Sequence, residues 1–151
     1  MMEIKLKKAK RKNFRKISKI YMESFSEPPY NEKWTSKIVL DKIKLFSRYC
    51  DIWEIWYEKQ LAGFFVINPS WWCSGEIIFG EELAIDKKFR KKGIGTYVLK
   101  EIFKIYKKKG FKKYMGIVNN ASNAIGLHKK VGAYKNKYDL LMEAELKWQK
   151  K

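Results

Sequence analysis

Residues 81–96 read Glu81-Glu82-Leu83-Ala84-Ile85-Asp86-Lys87-Lys88-Phe89-Arg90-Lys91-Lys92-Gly93-Ile94-Gly95-Thr96, and the fold turns on them. The stretch predicts the end of a strand, a tight basic turn and the opening of a long helix. From Gly93 to Lys109 the apolar residues Ile94, Val98, Leu99, Ile102 and Tyr106 recur along one helical face. A helix entered this way turns several unpaired backbone N–H groups toward one point, an arrangement suited to a phosphate. Glycine lets the backbone approach such an anion with no Cβ in the way. Lys87, Lys88, Arg90, Lys91 and Lys92 add positive charge at the same place. Two other phosphate patterns fail. Val98 stands where the third glycine of a dinucleotide fingerprint belongs, and the Gly-Lys-Ser/Thr end of a P-loop does not occur.

Working outward toward the N-terminus, Gly75 to Ile85 is a strand with Gly80 as the mark of a bulge. Asp51 to Glu58 and Leu61 to Asn68 form an antiparallel pair around a Glu58-Lys59-Gln60 turn. Thr35 caps a helix reaching about Arg48, with Trp34 and Val39 as a hydrophobic staple. Asn13 caps an earlier helix carrying Ile17, Ile20, Tyr21 and Phe25, which Pro28 and Pro29 stop. Ile4 and Leu6 alternate with charged residues in a first strand. Toward the C-terminus, Gly110 ends the long helix and Tyr114 to Val118 is a short strand. Ser122 to Lys130 is a short helix stopped by Gly132, and Ala133 to Leu146 reads as one or two further strands. The order is β-α-α-β-β-β-α-β-α-β(β), an α/β chain around a mixed sheet. No repeat or linker divides it, so residues 1–151 are read as one domain.

The composition agrees with a packed core: 46% of residues are hydrophobic and 16% aromatic, with six Trp, which a disordered chain would lack. No secretory leader is expected, and the longest apolar stretch, Leu61 to Ile67, falls far short of the ~20 residues of a membrane span. Cys50 and Cys73 belong to no CxxC pair and read as reduced thiols of a cytoplasmic protein. With a single histidine, no structural metal site is expected. The net charge of +18 suits a polyanionic partner or phosphorylated cofactor, and equally a lysine-rich proteome. A nucleic-acid-binding module is therefore a competing reading, with basic runs at Lys5–Lys16, Lys87–Lys92 and Lys104–Lys113. No RRM, KH or zinc-finger signature supports it, and the runs fall on separate elements.

The central stretch resembles the GNAT superfamily of N-acetyltransferases. That family carries Gln/Arg-x-x-Gly-x-Gly/Ala after a strand of the Leu-x-Val type. Arg90-Lys91-Lys92-Gly93-Ile94-Gly95 and Leu83-Ala84-Ile85 match it. The resemblance implies a mixed, mostly antiparallel sheet of six to seven strands flanked by about four helices. It also implies acetyl-CoA as co-substrate, with no metal. Leu83, Ala84 and Ile85 would border the pantetheine arm, Leu83 and Ile85 through their backbones. Arg90, Lys91, Lys92, Gly93, Ile94, Gly95 and Thr96 would hold the pyrophosphate. Downstream, Ala124, Leu127 and Gly132 fall into the family's Asn-x-x-Ala-x-x-Leu-Tyr-x-x-x-Gly-Phe pattern. Ala121 replaces its asparagine, so Asn120, Ser122 or Asn123 would substitute, Asn120 being the first choice, and His128 replaces its tyrosine.

By that resemblance His128 is either the general acid for the departing CoA thiolate or a helix residue packed against CoA. The acceptor amine must lose a proton, and Glu82 on the preceding strand is the first candidate base. Glu81 is the alternative, and alternation points the two to opposite faces. The loop from Phe25 to Trp34 resembles that of small-molecule members, including aminoglycoside acetyltransferase relatives. Its Glu27, Tyr30 and Trp34 would receive a cationic amine. A peptide acceptor stays open, as does a CoA-binding member of the family without catalysis. Trp71-Trp72-Cys73 would line the pocket, form a homodimer contact or simply pack.

Overall fold

A computed structural model describes residues 3–146. Ile4 and Leu6 alternate along β1 (Ile4–Lys8), which pairs antiparallel with β2 (Asp51–Tyr57). Between them lie α1 (Phe14–Ser26) and α2 (Ser36–Tyr49). Thr35 caps α2 by accepting from the Ile38 N–H, which satisfies one of the helix's unpaired donors. Asn13 does not cap α1 in this way. Its Nδ2 donates to Glu54 Oε1 at 2.8 Å, and that oxygen also accepts the Lys10 N–H at 2.9 Å. Trp56 Nε1 donates to the other oxygen at 2.8 Å. A carboxylate only 2% exposed is thereby satisfied, and the start of α1 is tied to the sheet.

Glu58 and Lys59 both adopt left-handed φ values, 46° and 66°, as a two-residue hairpin turn requires, and β3 (Gln60–Asn68) returns beside β2. The next strand, β4 (Ile77–Ile85), pairs antiparallel with β3. A basic turn leads to α3 (Ile94–Lys108), then β5 (Lys113–Gly116) and α4 (Ala124–Lys130). The sheet runs β1-β2-β3-β4-β5, antiparallel except for the parallel β4–β5 pair.

Alternation along the strands divides the core in two. On one face Ile17, Tyr21 and Phe25 of α1 and Val39, Ile43 and Phe46 of α2 pack with Ile52, Phe64, Val66 and Ala84. On the other, Ile94, Val98, Leu99, Ile102 and Tyr106 of α3 pack with Trp53, Ile55, Phe65, Ile67 and Ile78. Each fully buried residue of this size contributes about 1.5–3 kcal/mol of apolar burial, so both helical layers hold the sheet firmly.

The C-terminal expectation fails. Among the described residues the sheet has five strands, where six to seven were expected, and 133–146 contains no strand. Tyr134, Tyr138, Leu140, Leu141, Met142 and Leu146 are 68–99% exposed. Alternating apolar side chains form a strand only where a neighbour completes the hydrogen-bond ladder, and β5 offers an edge of four residues. The turn that opens this segment is instead held locally, with Asn136 Oδ1 accepting from the N–H groups of Tyr138 and Asp139.

Candidate active site

The site begins where two parallel strands part. Ile77 to Gly80 of β4 pairs with Lys113 to Gly116 of β5, and β5 then ends. β4 continues to Ile85 with β3 alone beside it, so Glu81 to Ile85 presents one open edge. Arg90 Nε donates to the Ile85 carbonyl at 2.8 Å, whereas the Asp86 N–H turns the other way, to Ala62 of β3. Ile85 therefore faces the open side, and by the two-residue period of a strand so does Leu83. Ala84 is buried against the α1–α2 layer.

At the far end of this edge the chain turns into α3. Lys91 and Gly93 take left-handed φ values of 61° and 75°. Gly93 is the residue that flanks the helix start, and no side chain caps the helix there. Its φ favours glycine over any residue with a Cβ. The N–H groups of the first turn, from Ile94 to Thr96, are thus left open beside the exposed Lys91 and Lys92. Gly95 serves packing: a Cβ there would stand 3.0 Å from Leu127 of α4. Arg90 departs from its expected place, because its guanidinium donates to Ser24 Oγ at 3.1 Å and lies 3.4 Å from Glu27 Oε2. Lys87 is also 3.6 Å from Glu27. Glu27 therefore joins the end of α1 to the basic turn and is already engaged by two cations.

On the α1–α2 side of β4, Glu82 accepts from Tyr21 Oη at 2.9 Å and pairs with Lys42 Nζ at 3.4 Å. Burial raises its carboxyl above the usual glutamate range, and the Lys42 charge and the Tyr21 hydroxyl only partly offset this. Trp34 stands edge-on to Tyr21 with ring centroids 5.1 Å apart, and Tyr30 packs edge-on against Phe25. Glu81 does not occupy the opposite face as alternation predicted. The β3–β4 register shifts, so that Val66 faces Glu82 and Ile67 faces Gly80, with Glu81 as the extra residue of a bulge. Glu81 accepts from Asn68 Nδ2 at 2.9 Å, and Asn68 alternates with Phe64 and Val66 of the α1–α2 face. Both carboxylates thus reach the same side.

The α3–α4 side of the fork holds a hydroxyl and a ring. Tyr114 Oη lies 3.1 Å from His128 Nε2, and His128 Nδ1 lies 2.7 Å from the Ala124 carbonyl. A carbonyl can only accept, so Nδ1 carries a hydrogen, and in the neutral ring Nε2 accepts from the tyrosine. Burial pushes the Tyr114 phenol well above the usual tyrosine range, which keeps that hydrogen on oxygen. A Cβ at Gly80 would meet Tyr114 Oη at 2.5 Å, and one at Gly116 would meet it at 2.9 Å. These two glycines are the last β4–β5 pair, so the hydroxyl sits at the apex of the fork.

Tyr114 was missed by the sequence reading, as was Lys42. Both lie far in the chain from the residues they join, and neither belongs to a recognisable motif. Asn120 is exposed, while Asn119 makes the local turn by accepting the Ala121 N–H at 2.8 Å. Trp71 stacks on Phe79 with centroids 4.0 Å apart, and Trp72 stays 53% exposed. Cys50 and Cys73 are free thiols. Among the described residues no group of three His, Cys, Asp or Glu could hold a metal ion, and no helix is long and apolar enough to cross a membrane.

Comparison with solved structures returns this architecture. A possible acetyltransferase from Clostridium difficile 630 superposes with a TM-score of 0.79 at 16% identity, covering 95% of this chain and 98% of that one. An aminoglycoside acetyltransferase from an uncultured soil metagenomic sample, in complex with sisomicin, gives 0.68 at 13% identity, covering 95% and 97%. Aminoglycoside N-acetyltransferase AAC(6')-Iy in complex with CoA gives 0.72 at 10% identity, covering 97% of each chain. No curated protein matches in sequence. The model of the acetyltransferase (GNAT) family matches residues 14–133, most of the chain and every element from α1 to α4. The chain belongs to the GNAT acetyltransferase family.

Proposed function

We propose that this chain is an N-acetyltransferase that moves the acetyl group of acetyl-CoA onto a primary amine of a small molecule or peptide. The observation that carries this reading is the open edge of β4, which leads from the apex at Gly80 to the uncapped start of α3. Those residues fit acetyl-CoA: an edge of backbone groups suits an extended amide-bearing arm, and a glycine-led helix start among lysines suits its pyrophosphate. Leu83 and Ile85 would hold the arm. Lys91, Lys92 and the N–H groups from Gly93 to Thr96 would hold the phosphates. When bound, acetyl-CoA supplies an activated acyl group whose thioester an amine can attack.

Glu82 lies on the face opposite Tyr114 and His128, and its raised pKa makes it a stronger base than an exposed glutamate. It takes the proton of the acceptor amine directly or through water. Tyr114 and His128, bonded to each other at the apex, form the pair that returns a proton to the leaving sulfur. Tyr30 and Trp34 border the side from which the acceptor approaches. The aminoglycoside acetyltransferases among the structural neighbours support a small cationic acceptor. Glu27, held by Arg90 and Lys87, shapes that border through its ion pairs.

Thermal unfolding with and without acetyl-CoA, at moderate salt, tests the reading. A ligand at 100 times its dissociation constant adds about 2.7 kcal/mol, enough to raise the midpoint by several degrees. A saturable shift that inorganic pyrophosphate does not reproduce supports the site, and a screen of amines then seeks the acceptor. No shift at millimolar acetyl-CoA overturns it.

A further inference from the structure

The acceptor side of β4 already contains a primary amine. Lys42 projects from α2 so that its Nζ stands 4.9 Å from the Trp34 ring centroid and 5.4 Å from those of Tyr21 and Phe46. Its nitrogen is 3.4 Å from Glu82 Oε1. Three aromatic faces and a carboxylate are the surroundings expected of a bound alkylammonium. Lys42 also differs from the other lysines in ion pairs: its side chain is 31% exposed, against 49–80% for theirs. Among the described residues it is the one lysine paired with a carboxylate of β4. Glu82 belongs to the open edge of that strand, so the amine stands within one carboxylate of it.

We propose that Lys42 is itself an acceptor, so that the chain acetylates its own Lys42 Nζ from acetyl-CoA. The proposal rests on the acetyl-CoA reading above. The ammonium gives a proton to Glu82, and the freed nitrogen pair attacks the thioester carbonyl carbon. A C–N amide bond forms as the C–S bond breaks, and sulfur leaves with the electron pair. Two protons depart from the nitrogen in all; one ends on the CoA thiol and the other reaches solvent. The product is a neutral acetyl-lysine within the cage, and Glu82 has lost its cation.

The experiment uses the full chain, isotope-labelled acetyl-CoA and peptide mass mapping at early times. Intramolecular placement is expected to label Lys42 at least about tenfold faster than exposed Lys87 or Lys104, at a rate independent of protein concentration. In Glu82→Gln the fast label at Lys42 is expected to vanish while slow labelling of surface lysines persists. Lys42 labelled no faster than the exposed lysines overturns the proposal, as does a rate that scales with protein concentration. The mapping needs no variant, so a misfolded substitution cannot obscure it. A thermal shift measured on the same sample separates the two readings. No shift defeats the acetyl-CoA site itself, whereas a shift with Lys42 unlabelled defeats self-acetylation alone.

Discussion

On one side of β4, Glu82 lies among Tyr21, Trp34 and the Lys42 ammonium; on the other, Tyr114 and His128 share a hydrogen bond over the last β4–β5 pair. Only the first side carries formal charges in contact. The second is a hydroxyl and an imidazole ring, the phenol held by burial and the ring by the Ala124 carbonyl. In the proposed mechanism a proton acceptor and a proton donor are thus kept apart by the thickness of one strand. Were they in contact, the proton would pass between them and not through the reacting atoms. The bulge at Glu81 and the bare positions at Gly80 and Gly116 make the separation possible, since one turns the carboxylates to one face and the others admit the phenol to the opposite one.

The charged side should break first. Glu82→Gln keeps the shape and removes the base, so turnover is expected to fall by roughly 10²–10⁴ while the acetyl-CoA thermal shift persists. Steady-state kinetics against the best acceptor from the amine screen measures it; unchanged turnover would return catalysis to positioning alone. A smaller effect is expected on the Tyr114 side, where the thiolate is already a competent leaving group. His128→Phe and Tyr114→Phe should each lower turnover by roughly tenfold to a hundredfold with acetyl-CoA affinity barely moved. Unaltered turnover in both would remove the pair from the mechanism. The chain has one histidine, so its nitrogen NMR signals report the tautomer without assignment. A hydrogen on Nε2 of the neutral ring would contradict this arrangement.

Gly80→Ala sharpens the comparison through packing. The new Cβ would stand 2.5 Å from Tyr114 Oη, so the phenol must move or the strands must part. Overpacking of this kind costs about 1–3 kcal/mol, read from denaturant unfolding. Turnover is expected to fall with it, whereas Gly126→Ala within α4, with nothing within 4 Å of the new Cβ, is expected to leave turnover unchanged and to raise stability by up to about 1 kcal/mol. Equal behaviour of the two variants would remove the apex from its special place.

Much of this was legible in the residues, because local rules apply locally. Thr35, the prolines after α1 and Gly110 set element ends through their own backbone chemistry, and the α3 stripe needs no partner to be recognised. The features that escaped are long-range. Gly80 marked the bulge to within one residue, but alternation still placed Glu81 and Glu82 on opposite faces, and which residue a bulge leaves unpaired is a property of two strands read together. Lys42 meets Glu82 across 40 residues, and Arg90 meets Ser24 across 66. The phosphate motif identified Arg90 from its place in the turn, and nothing near it in sequence pointed to α1. The alternating C-terminal segment shows the converse, a pattern with no ladder to join.

The smallest effect separates two carboxylates by pH. Asp51 is partly buried, which opposes its charge, but hydrogen bonds from Lys8 and Tyr106 and the Lys8 charge outweigh this and hold its carboxyl below the usual range. Its folded pKa is depressed, so its contribution to stability is complete above the unfolded value of about 3.9 and is lost as pH falls through the folded one. Glu82 has the opposite sign. Burial raises its folded pKa, so its ionised form costs stability, and acid relieves that cost as pH falls through the folded pKa toward about 4.3. Stability measured by denaturant across mildly acid pH should therefore lose one slope in Glu82→Gln and, at lower pH, the opposite slope in Asp51→Asn. The same sign in both variants would mean that Glu82 is ionised at no cost, and a carboxylate so well satisfied would have little tendency to take a proton from an amine.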